Sequence, residues 1–212
     1  MNPNLKLERE LLAQDFEYVI GIDEVGRGAF GGPVSVGVCA VTENMNPAPS
    51  GIKDSKLLTA VAREKLAPEV KNWAAYWAVG DAEPHEIDEL GINQALRLAA
   101  LRALNEIPIS RAAIILDGSF DWLSPPPANL FETADDFEHT VLMKVKADQT
   151  CLSVAAASVL AKVHRDGLMR HLDGIYPGYG WASHVGYGTS AHREAIAKLG
   201  LSPAHRKSWK LQ

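Results

Sequence analysis

The chain has 212 residues, of which 47% are hydrophobic and 22% are charged. This composition excludes a largely disordered chain, and the length predicts one domain with a buried core. The sequence has no apolar run long enough to span a membrane and no signal-peptide core, and its two cysteines, Cys39 and Cys151, have no metal-ligand spacing. We therefore expect buried thiols in a reducing cytoplasm.

The net charge of -5 is unevenly distributed along the chain. Residues 139–212 contain six Lys and four Arg against three Asp and one Glu, a net of +6, so residues 1–138 carry -11. A segregated basic segment is typical of phosphate binding. The alternative is a basic segment that is merely solvated, and the charge alone does not decide between the two.

The predicted elements begin with an amphipathic helix over residues 5–14 and a buried strand over residues 18–23. This strand delivers two carboxylates in succession, Asp23 and Glu24. An unpartnered carboxylate in a buried strand is costly, so Asp23 is expected to be paired or to bind a cation. Because successive side chains of a strand point to opposite faces, both acids face one site only if the strand ends or bends there.

A glycine-arginine-glycine turn, Gly26-Arg27-Gly28, follows the two acids. The glycines permit a bend and let a ligand approach the backbone closely. Arg27 would stand between two residues without side chains, where it can meet a phosphate or a sugar. The alternative is a solvated acidic pair followed by an ordinary turn.

The middle of the chain is predicted to continue with strands and helices. Residues 33–41 form a strand whose partial alternation predicts half exposure. Thr59 is a plausible N-cap for the next helix, which Pro68 is expected to break or restart. The further predicted elements here are a helix over residues 59–73, a strand over residues 75–80 and a helix over residues 93–106.

Two more aspartates follow apolar runs. Asp117 ends the continuous apolar run of residues 112–116, and Asp148 ends a predicted strand over residues 140–148. Active sites of α/β sheets are often built at the carboxyl ends of strands. Taken alone, Asp117 is better explained as a turn-former before Gly118, and only its combination with Asp23 and Glu24 favours a functional role.

Four acids therefore come from three predicted strand ends: Asp23, Glu24, Asp117 and Asp148. Hard carboxylate oxygens suit Mg²⁺ or Mn²⁺. Clustered carboxylates repel one another and raise their pKa values, and bound cations relieve this repulsion. Sites of this type carry out two-metal phosphoryl transfer with ions about 3.5–4 Å apart.

A helix rich in small residues is predicted over residues 152–163. Ser158, Lys162 and Arg165 follow one another at i, i+4 and i+7, so they share one helix face. That face either meets a phosphate backbone or is the solvated side of a core helix. Asp166 is expected to pair with Arg165 or Lys162.

Residues 21–28, continuing to residues 32–34, resemble the signature of the ribonuclease HII family. Residues 87–93, 146–166 and 202–209 resemble this family too, so the likeness covers most of the chain. The family usually has alanine where this chain has Val25 and proline where it has Ala29. Neither change adds or removes a polar or ionisable side chain. It often has lysine where this chain has Val185, which removes one possible phosphate contact.

The resemblance implies an α/β fold of the ribonuclease H-like kind, a mixed β-sheet flanked by helices. We expect a single catalytic domain over residues 1–212, with a helical, basic part from about residue 150. The implied enzyme is a metal-dependent endonuclease that uses Mg²⁺ or Mn²⁺ in a two-metal site. It hydrolyses RNA in RNA–DNA hybrids and cleaves 5′ of single ribonucleotides in duplex DNA, leaving 3′-hydroxyl and 5′-phosphate ends. The expected partners are these nucleic acids, with no membrane association, and the chain is expected to be a monomer.

The residues that the resemblance assigns fall into two groups. The catalytic, metal-holding group is Asp23, Glu24, Asp117 and Asp148. In the substrate-binding group, the loop of residues 26–28 contacts the 2′-hydroxyl largely through its backbone, and Tyr187 stacks on the next sugar. Lys56 looks toward substrate phosphate. The group as a whole is Gly26, Arg27, Gly28, Lys56, Ser158, Lys162 and Tyr187.

Other functions fit these residues less well. A glycosidase needs two carboxylates and aromatic sugar platforms, which leaves Arg27 and the basic segment unexplained. A kinase or NTPase would carry a glycine-rich loop with Gly-Lys-Ser/Thr, and this sequence has none. The ribonuclease HIII family has a sizeable extra N-terminal domain and lacks arginine in the Gly-x-Gly loop. A catalytically silent nucleic-acid-binding module would not require four intact acids.

Overall fold

A computed structural model describes residues 2–125 and 137–209 of the chain. Within these residues, five strands form one sheet in the order β3-β2-β1-β4-β5, with β1, β2 and β3 antiparallel and β4 and β5 parallel to β1. The predicted mixed sheet flanked by helices is confirmed. The strands are β1 (Val19–Val25), β2 (Val34–Val41), β3 (Tyr76–Ala82), β4 (Ala113–Asp117) and β5 (Thr140–Lys144). The helices are α1 (Lys6–Leu12), α2 (Ala60–Trp73), α3 (Pro84–Leu90), α4 (Ile92–Asn105), α5 (Ala147–Thr150), α6 (Leu152–Ile175), α7 (Trp181–His184) and α8 (Ser190–Leu199).

Helices cover both faces of the sheet, and each face has its own hydrophobic cluster. Ile20 and Ile22 of β1 pack in one cluster with α3 and α4. Val19 of the same strand packs in the other cluster with α2 and α6. The central strand therefore feeds both layers, because its side chains alternate between the two faces. None of the helices formed by the described residues combines the length and the apolar character needed to cross a bilayer.

β2 is buried along its whole length, so the prediction of half exposure was wrong. Helix α6 lies so close to one face that a Cβ on Gly37 would be 2.5 Å from the carbonyl oxygen of Ala157. The other face packs in the cluster with α4. The alternation read in the sequence therefore reflects small and large residues facing two different helices, and not a buried and a solvated face.

Helix α2 begins at the predicted cap, but Pro68 does not interrupt it. Thr59 is the N-cap, and its Oγ1 accepts a hydrogen bond from the backbone N–H of Ala62 at 3.2 Å. Pro68 lies on the exposed side of the helix. The carbonyl of Glu64, which loses its helical donor, therefore faces water, and the helix continues to Trp73.

We expect Thr59→Ala to lower the free energy of unfolding by about 1 kcal/mol, because it leaves an N-terminal amide of α2 without its side-chain acceptor. Urea denaturation measures this change. Thr59→Ser keeps the hydroxyl and is the matched control, with a loss below about 0.3 kcal/mol. Equal stabilities of the Ala and Ser variants would contradict the capping role.

Helix α6 is longer than the predicted helix over residues 152–163, since it runs to Ile175. Its first turns press against β1, where a Cβ on Gly21 would lie 2.3 Å from backbone atoms of Ser153 and Val154. Glu8 of α1 caps this helix from outside, because its Oε1 accepts from the N–H and the hydroxyl of Ser153, both at 2.9 Å. The helix is thus fixed at the end that lies beside the acidic strands.

Candidate active site

Asp23 and Asp117 lie side by side at the carboxyl ends of two neighbouring parallel strands. Ile22 of β1 pairs with Leu116 of β4, so the two aspartates follow at the same level of the sheet, with the strands about 4.8 Å apart. Both side chains are in phase with residues that face α6. The two aspartates are therefore neighbours in the sheet, as the predicted clustering of the acids requires.

Glu24 lies on the opposite side of β1 from Asp23, because the strand continues to Val25 instead of ending at the acids. Its carboxylate is 3.6 Å from Nη1 of Arg27. Arg27 in turn donates through Nη2 to Oδ1 of Asn93 on α4, at 2.9 Å. Glu24 therefore lies near the carboxyl end of the central strand β1, beside the glycine-arginine-glycine loop.

Asp148 is not at a strand end, so this part of the prediction was wrong. Strand β5 ends at Lys144, and Lys146 adopts a left-handed conformation with φ 58° that turns the chain into α5. Asp148 lies in the first turn of this short helix and is buried. The backbone N–H of Ala147 donates to Oδ1 of Asp117 at 2.7 Å, which fixes α5 against the end of β4.

The acids affect one another's ionisation. Burial, reinforced by the neighbouring Glu24 charge, raises the pKa of Asp23 to about 8, and Asp117 adds to this shift. Burial and the Asp117 charge raise the pKa of Asp148 to about 6. Burial also raises the pKa of Glu24, an effect that Arg27 opposes and Asp117 reinforces. The charge of Asp117 thus contributes to the raised pKa of each of the other three acids.

The donor chemistry of this acidic cluster fits a hard divalent cation. Within the described residues, no three Asp, Glu, His or Cys side chains already converge closely enough to ligate one ion. The carboxylates nevertheless lie near enough to destabilise one another's charged forms, which is the repulsion that a bound cation relieves. Oxygen donors without sulfur or imidazole suit Mg²⁺ or Mn²⁺.

The loop of residues 26–32 returns the chain from β1 to β2 beside these acids. Gly26 has φ 87°, and a Cβ there would lie 2.1 Å from Nε of the buried Arg165. This position therefore requires glycine for two reasons, backbone conformation and space. A Cβ on Gly28 would point at Tyr187, 4.0 Å from its Cε1.

Tyr187 follows a strained turn that holds it against the loop. Val185, a β-branched residue, has φ 44° and ψ 37°, a conformation that costs on the order of 1–3 kcal/mol and persists only where the surroundings impose it. The carbonyl of Gly186 accepts from the N–H of Phe30 at 2.7 Å, which joins this turn to the glycine loop. The Tyr187 side chain is partly exposed beside Gly28, so the sequence prediction that brings these residues together is consistent with the fold.

Comparison with known proteins decides the family. The model of the ribonuclease HII family matches residues 20–212. The chain is 44% identical over 208 residues to ribonuclease HII of Streptomyces avermitilis, which covers 98% of this chain and 83% of the relative. The chain belongs to the ribonuclease HII family. It is an endoribonuclease of the ribonuclease H type, as predicted.

Solved structures show the same fold as this ribonuclease HII chain. The crystal structure of ribonuclease H2 from Pyrococcus horikoshii has a TM-score of 0.70 and 28% identity, over 92% of this chain and 94% of that chain. A crystal structure of Bst-RNase HIII in complex with Mn²⁺ has a TM-score of 0.63 and 20% identity, over 95% of this chain and 70% of that chain. The second likeness concerns the fold alone.

Lys56 of this ribonuclease HII chain lies over the acidic cluster. Its Nζ is 3.5 Å from Oδ2 of Asp148, and its side chain is 70% exposed. Partial burial lowers the pKa of Lys56, but the charges of Asp23, Asp54 and Asp148 outweigh this effect and raise it. Lys56 is therefore a fully charged cation with a free side toward solvent, as a phosphate-binding lysine requires.

Ser158 and Lys162 are not exposed for binding a phosphate, because one is buried and the other is paired inside the molecule. The prediction of an exposed binding face therefore needs correction. Ser158 is 2% exposed, and its hydroxyl donates to Oγ of Ser55 at 2.8 Å. Ser158 also opposes the rise in the pKa of Asp23. Lys162 donates to Oδ1 of Asp166 at 2.6 Å, as one of the predicted pairings for Asp166 had it. Ser158 therefore faces the loop that carries Lys56. Asp166, the partner of Lys162, also accepts from Nη2 of Arg63 on α2 at 3.3 Å.

Two buried arginines were missed as organisers of the site. Arg206 donates to the carbonyls of Gly26, Arg27 and Gly32 at 2.7, 3.0 and 3.1 Å. Arg165 donates to the carbonyls of Pro33, Val185 and Gly31. Both lie in the basic segment of residues 139–212, for which the sequence left phosphate binding and solvation as alternatives. The guanidinium groups of these two arginines therefore bind backbone carbonyls inside the molecule, most of them in the loop that joins β1 to β2 (the glycine loop, residues 26–33).

Proposed function

We propose that this chain hydrolyses the RNA strand of RNA–DNA hybrids and cleaves on the 5′ side of single ribonucleotides embedded in duplex DNA, leaving 3′-hydroxyl and 5′-phosphate ends. The observation that carries this proposal is the contact between Gly28 and Tyr187, 4.0 Å from a Cβ position to the ring, directly after the acids of β1. A ribose-sensing pair beside the reacting phosphate lets one 2′-hydroxyl decide where the strand is cut.

The loop of residues 26–28 reads the sugar through its amide groups. The carbonyls of Gly26 and Arg27 accept hydrogen bonds from Arg206 and therefore face inward. Amide N–H groups remain to donate to the 2′-hydroxyl oxygen, and Gly28 leaves room for the ribose to approach. Contacts of this kind carry no information about the base, so we expect weak sequence preference.

Tyr187 offers its ring to the sugar that follows the ribonucleotide. Its ring edge faces Gly28, and the side chain is 39% exposed. A deoxyribose has no 2′-hydroxyl to hold it away from an aromatic face. We therefore assign Tyr187 the recognition of the RNA-to-DNA junction.

Asp23, Glu24, Asp117 and Asp148 would hold two Mg²⁺ or Mn²⁺ ions. When bound, such ions activate a water molecule and stabilise the leaving oxygen of an in-line displacement. Asp117 keeps its carboxylate oriented by accepting the N–H of Ala147. Arg27, held between Glu24 and Asn93 with its side chain 44% exposed, faces a substrate phosphate.

The oligomeric state and the cellular location that we propose are those expected from the sequence. The chain acts as a monomer formed by one catalytic domain over residues 1–212, on nucleic acid and without a membrane. Cys39 and Cys151 are both free and buried, which supports a reducing cytoplasm.

The test is cleavage of a DNA duplex that carries one ribonucleotide, with Mg²⁺ or Mn²⁺, beside all-DNA, all-RNA and long hybrid duplexes. The proposal expects one cut on the 5′ side of the lone ribonucleotide, cutting of the long hybrid, and no cutting of all-DNA. Cutting of long hybrids alone would give this chain the specificity of another ribonuclease H type. No cutting with either metal would overturn the metal-dependent reaction.

We expect Lys56→Ala to weaken substrate binding and to reduce the salt dependence of the affinity. Each phosphate contact contributes about 0.9 to the slope of log K against log salt on B-DNA, so the slope should fall by roughly this amount. Binding measured without divalent metal over a range of salt concentrations gives both values.

The matched control for Lys56 is Lys71→Ala. Lys71 lies about 16 Å along α2 from the first residue of that helix, and its ammonium sits over the ring of Trp77 at 4.1 Å. The slope should be unchanged in this variant. An equal change in both variants would mean that net charge, and not a contact at Lys56, sets the salt dependence.

A further inference from the structure

Three histidines pack together beneath the turn that carries Tyr187. His184 and His192 are stacked with ring centroids 4.2 Å apart, and His192 and His205 lie 5.2 Å apart. His192 and His205 are buried, and Trp181 closes the cluster from one side. No step of the proposed reaction uses these rings, so their arrangement needs its own explanation.

The hydrogen bonds of this histidine cluster fix the position of each proton. The backbone N–H of Ser202 donates to Nδ1 of His205 at 2.9 Å, so this nitrogen carries no proton. The proton of His205 is then on Nε2, which lies 3.1 Å from Nε2 of His192. His192 accepts it, and its own proton is on Nδ1, which donates to the carbonyl of Tyr187 at 3.0 Å. The direction of the whole chain follows from one backbone amide.

His184 holds the other side of the same turn. Its Nδ1 accepts from the N–H of Gly186 at 3.2 Å, and its Nε2 faces the carbonyl of Tyr179 at 2.6 Å. Imidazoles therefore bind this turn at two points, the N–H of Gly186 and the carbonyl of Tyr187. Burial lowers the pKa of His192, and burial together with the His192 ring lowers the pKa of His205 to about 4, so both rings are neutral near pH 7.

The turn held by the histidines is joined directly to the glycine loop. Phe30 donates its N–H to Gly186, and a Cβ on Gly186 would lie 2.4 Å from the carbonyl oxygen of Gly31. The two backbones are in contact there, so a displacement of the turn moves Tyr187 relative to Gly28. The carbonyl of Tyr187 accepts from the backbone N–H of Thr189 at 2.9 Å and from His192, so His192 supplies its only side-chain donor among the described residues.

We propose that His192, oriented by His205, is a positioning residue for Tyr187 and thereby sets the preference for a single ribonucleotide over a long hybrid. The proposal rests on the function proposed above for Tyr187. A single embedded ribonucleotide offers one junction and so depends on the tyrosine, whereas a long hybrid offers many ribose contacts to the loop. A loosened turn should therefore harm cleavage of the first substrate more than that of the second.

Two substitutions of His192 separate positioning from folding. In His192→Asn, the amide nitrogen can take the place of Nδ1 and still donate to the Tyr187 carbonyl. In His192→Gln, the amide reaches the place of Nε2 and leaves that carbonyl without its side-chain donor. Both variants lose the ring and its stacking on His184, so they are matched in packing.

The measured quantity is the ratio of kcat/KM on the single-ribonucleotide duplex to kcat/KM on a long hybrid. We expect His192→Gln to lower this ratio about five- to tenfold, the factor for one lost hydrogen bond, and His192→Asn to keep it within about twofold. A merely structural role would lower both rates in proportion to the folded fraction and leave the ratio unchanged. If His192→Gln left the ratio unchanged while Tyr187→Ala lowered it, the role of His192 would be contradicted and the proposed role of Tyr187 would stand.

A second measurement requires no variant to fold. Nitrogen-15 NMR of the histidine rings at pH 7 should place the proton of His192 on Nδ1 and the protons of His184 and His205 on Nε2. A His192 ring protonated on Nε2, or on both nitrogens, would overturn the inference. Failure of the proposed function is distinct from either result, because it would appear as an unchanged ratio in Tyr187→Ala or as a wild-type enzyme that leaves the single ribonucleotide uncut.

Discussion

Replacing Asp117 by asparagine is expected to lower the cleavage rate at least about 10³-fold, the effect of losing several kcal/mol of stabilisation at a metal site. Asparagine keeps an oxygen for the N–H of Ala147, so the contact between β4 and α5 survives. The substitution removes a negative charge that raises the pKa of the other three acids. Single-turnover cleavage of the single-ribonucleotide duplex measures the effect.

The same substitution should make the fold more stable. Asp23, with its pKa raised to about 8, holds a proton in the folded state that it loses in the unfolded state between pH 4 and 8. Stability therefore falls as pH rises through that window. Removing the Asp117 charge lowers the pKa of Asp23 and relieves part of this cost, so the melting temperature at pH 7 should rise by about 2 °C.

The matched control for Asp117 is Asp121→Asn. Asp121 uses Oδ1 to accept from the N–H groups of Leu123 and Ser124, and asparagine keeps that oxygen. The rate should stay within about twofold of wild type. A comparable loss of activity in both variants, or an Asp117→Asn enzyme with more than a tenth of the wild-type rate, would contradict the assigned role of Asp117.

Arg206→Ala should lower the free energy of unfolding by about 3–5 kcal/mol and abolish specific cleavage. The substitution leaves the carbonyls of Arg27 and Gly32 without a donor, and each such group costs about 1–3 kcal/mol. The carbonyl of Gly26 loses its 2.7 Å bond and keeps the N–H of Ala29 at 3.2 Å. Arg206→Lys restores one charge but not the planar fork, so we expect it to recover only part of the loss. Urea denaturation and kcat/KM, measured on the same preparations, test both variants.

Arg170→Ala provides the comparison for a loss of charge alone. Arg170 forms an exposed ion pair with Glu64 at 3.3 Å, with both side chains about half exposed. Such pairs contribute about 0–1 kcal/mol, so stability and activity should change little. If Arg206→Ala behaved like Arg170→Ala, the glycine loop would be held by other contacts and its order would not depend on Arg206.

The sequence predicted the parts of the site that depend on local patterns. The apolar run before Asp117 and the strand before Asp23 are short, continuous and followed by glycine, so both strands were predicted, although β1 runs on through Glu24 to Val25. Asp148 was assigned the wrong element because the alternation of residues 140–148 continues past the real end of β5. The left-handed turn at Lys146 ends that strand, and lysine carries no signal for such a conformation.

The roles of the buried cations could not be predicted from local patterns. Arg165 shares a helix face with Ser158 and Lys162, and a helical wheel cannot tell whether that face meets solvent or another element. An arginine that donates to backbone carbonyls and one that donates to phosphates also look identical in sequence, because both acceptors are oxygen atoms. Only the packing of α6 against the loop before β2 separates the two cases.

The hydrogen bond between Arg206 and the carbonyl of Gly26 joins residues 180 positions apart in the chain. During synthesis, the strands that carry Asp23 and Asp117 are complete long before this bond can form. A nascent chain whose residue 206 is still inside the ribosome therefore has its acids but lacks the Arg206 hydrogen bonds to the carbonyls of Gly26, Arg27 and Gly32. On the function proposed above, we expect a proteolytic cut that releases the segment carrying Arg206 to weaken substrate discrimination, even where the strands of Asp23 and Asp117 stay folded.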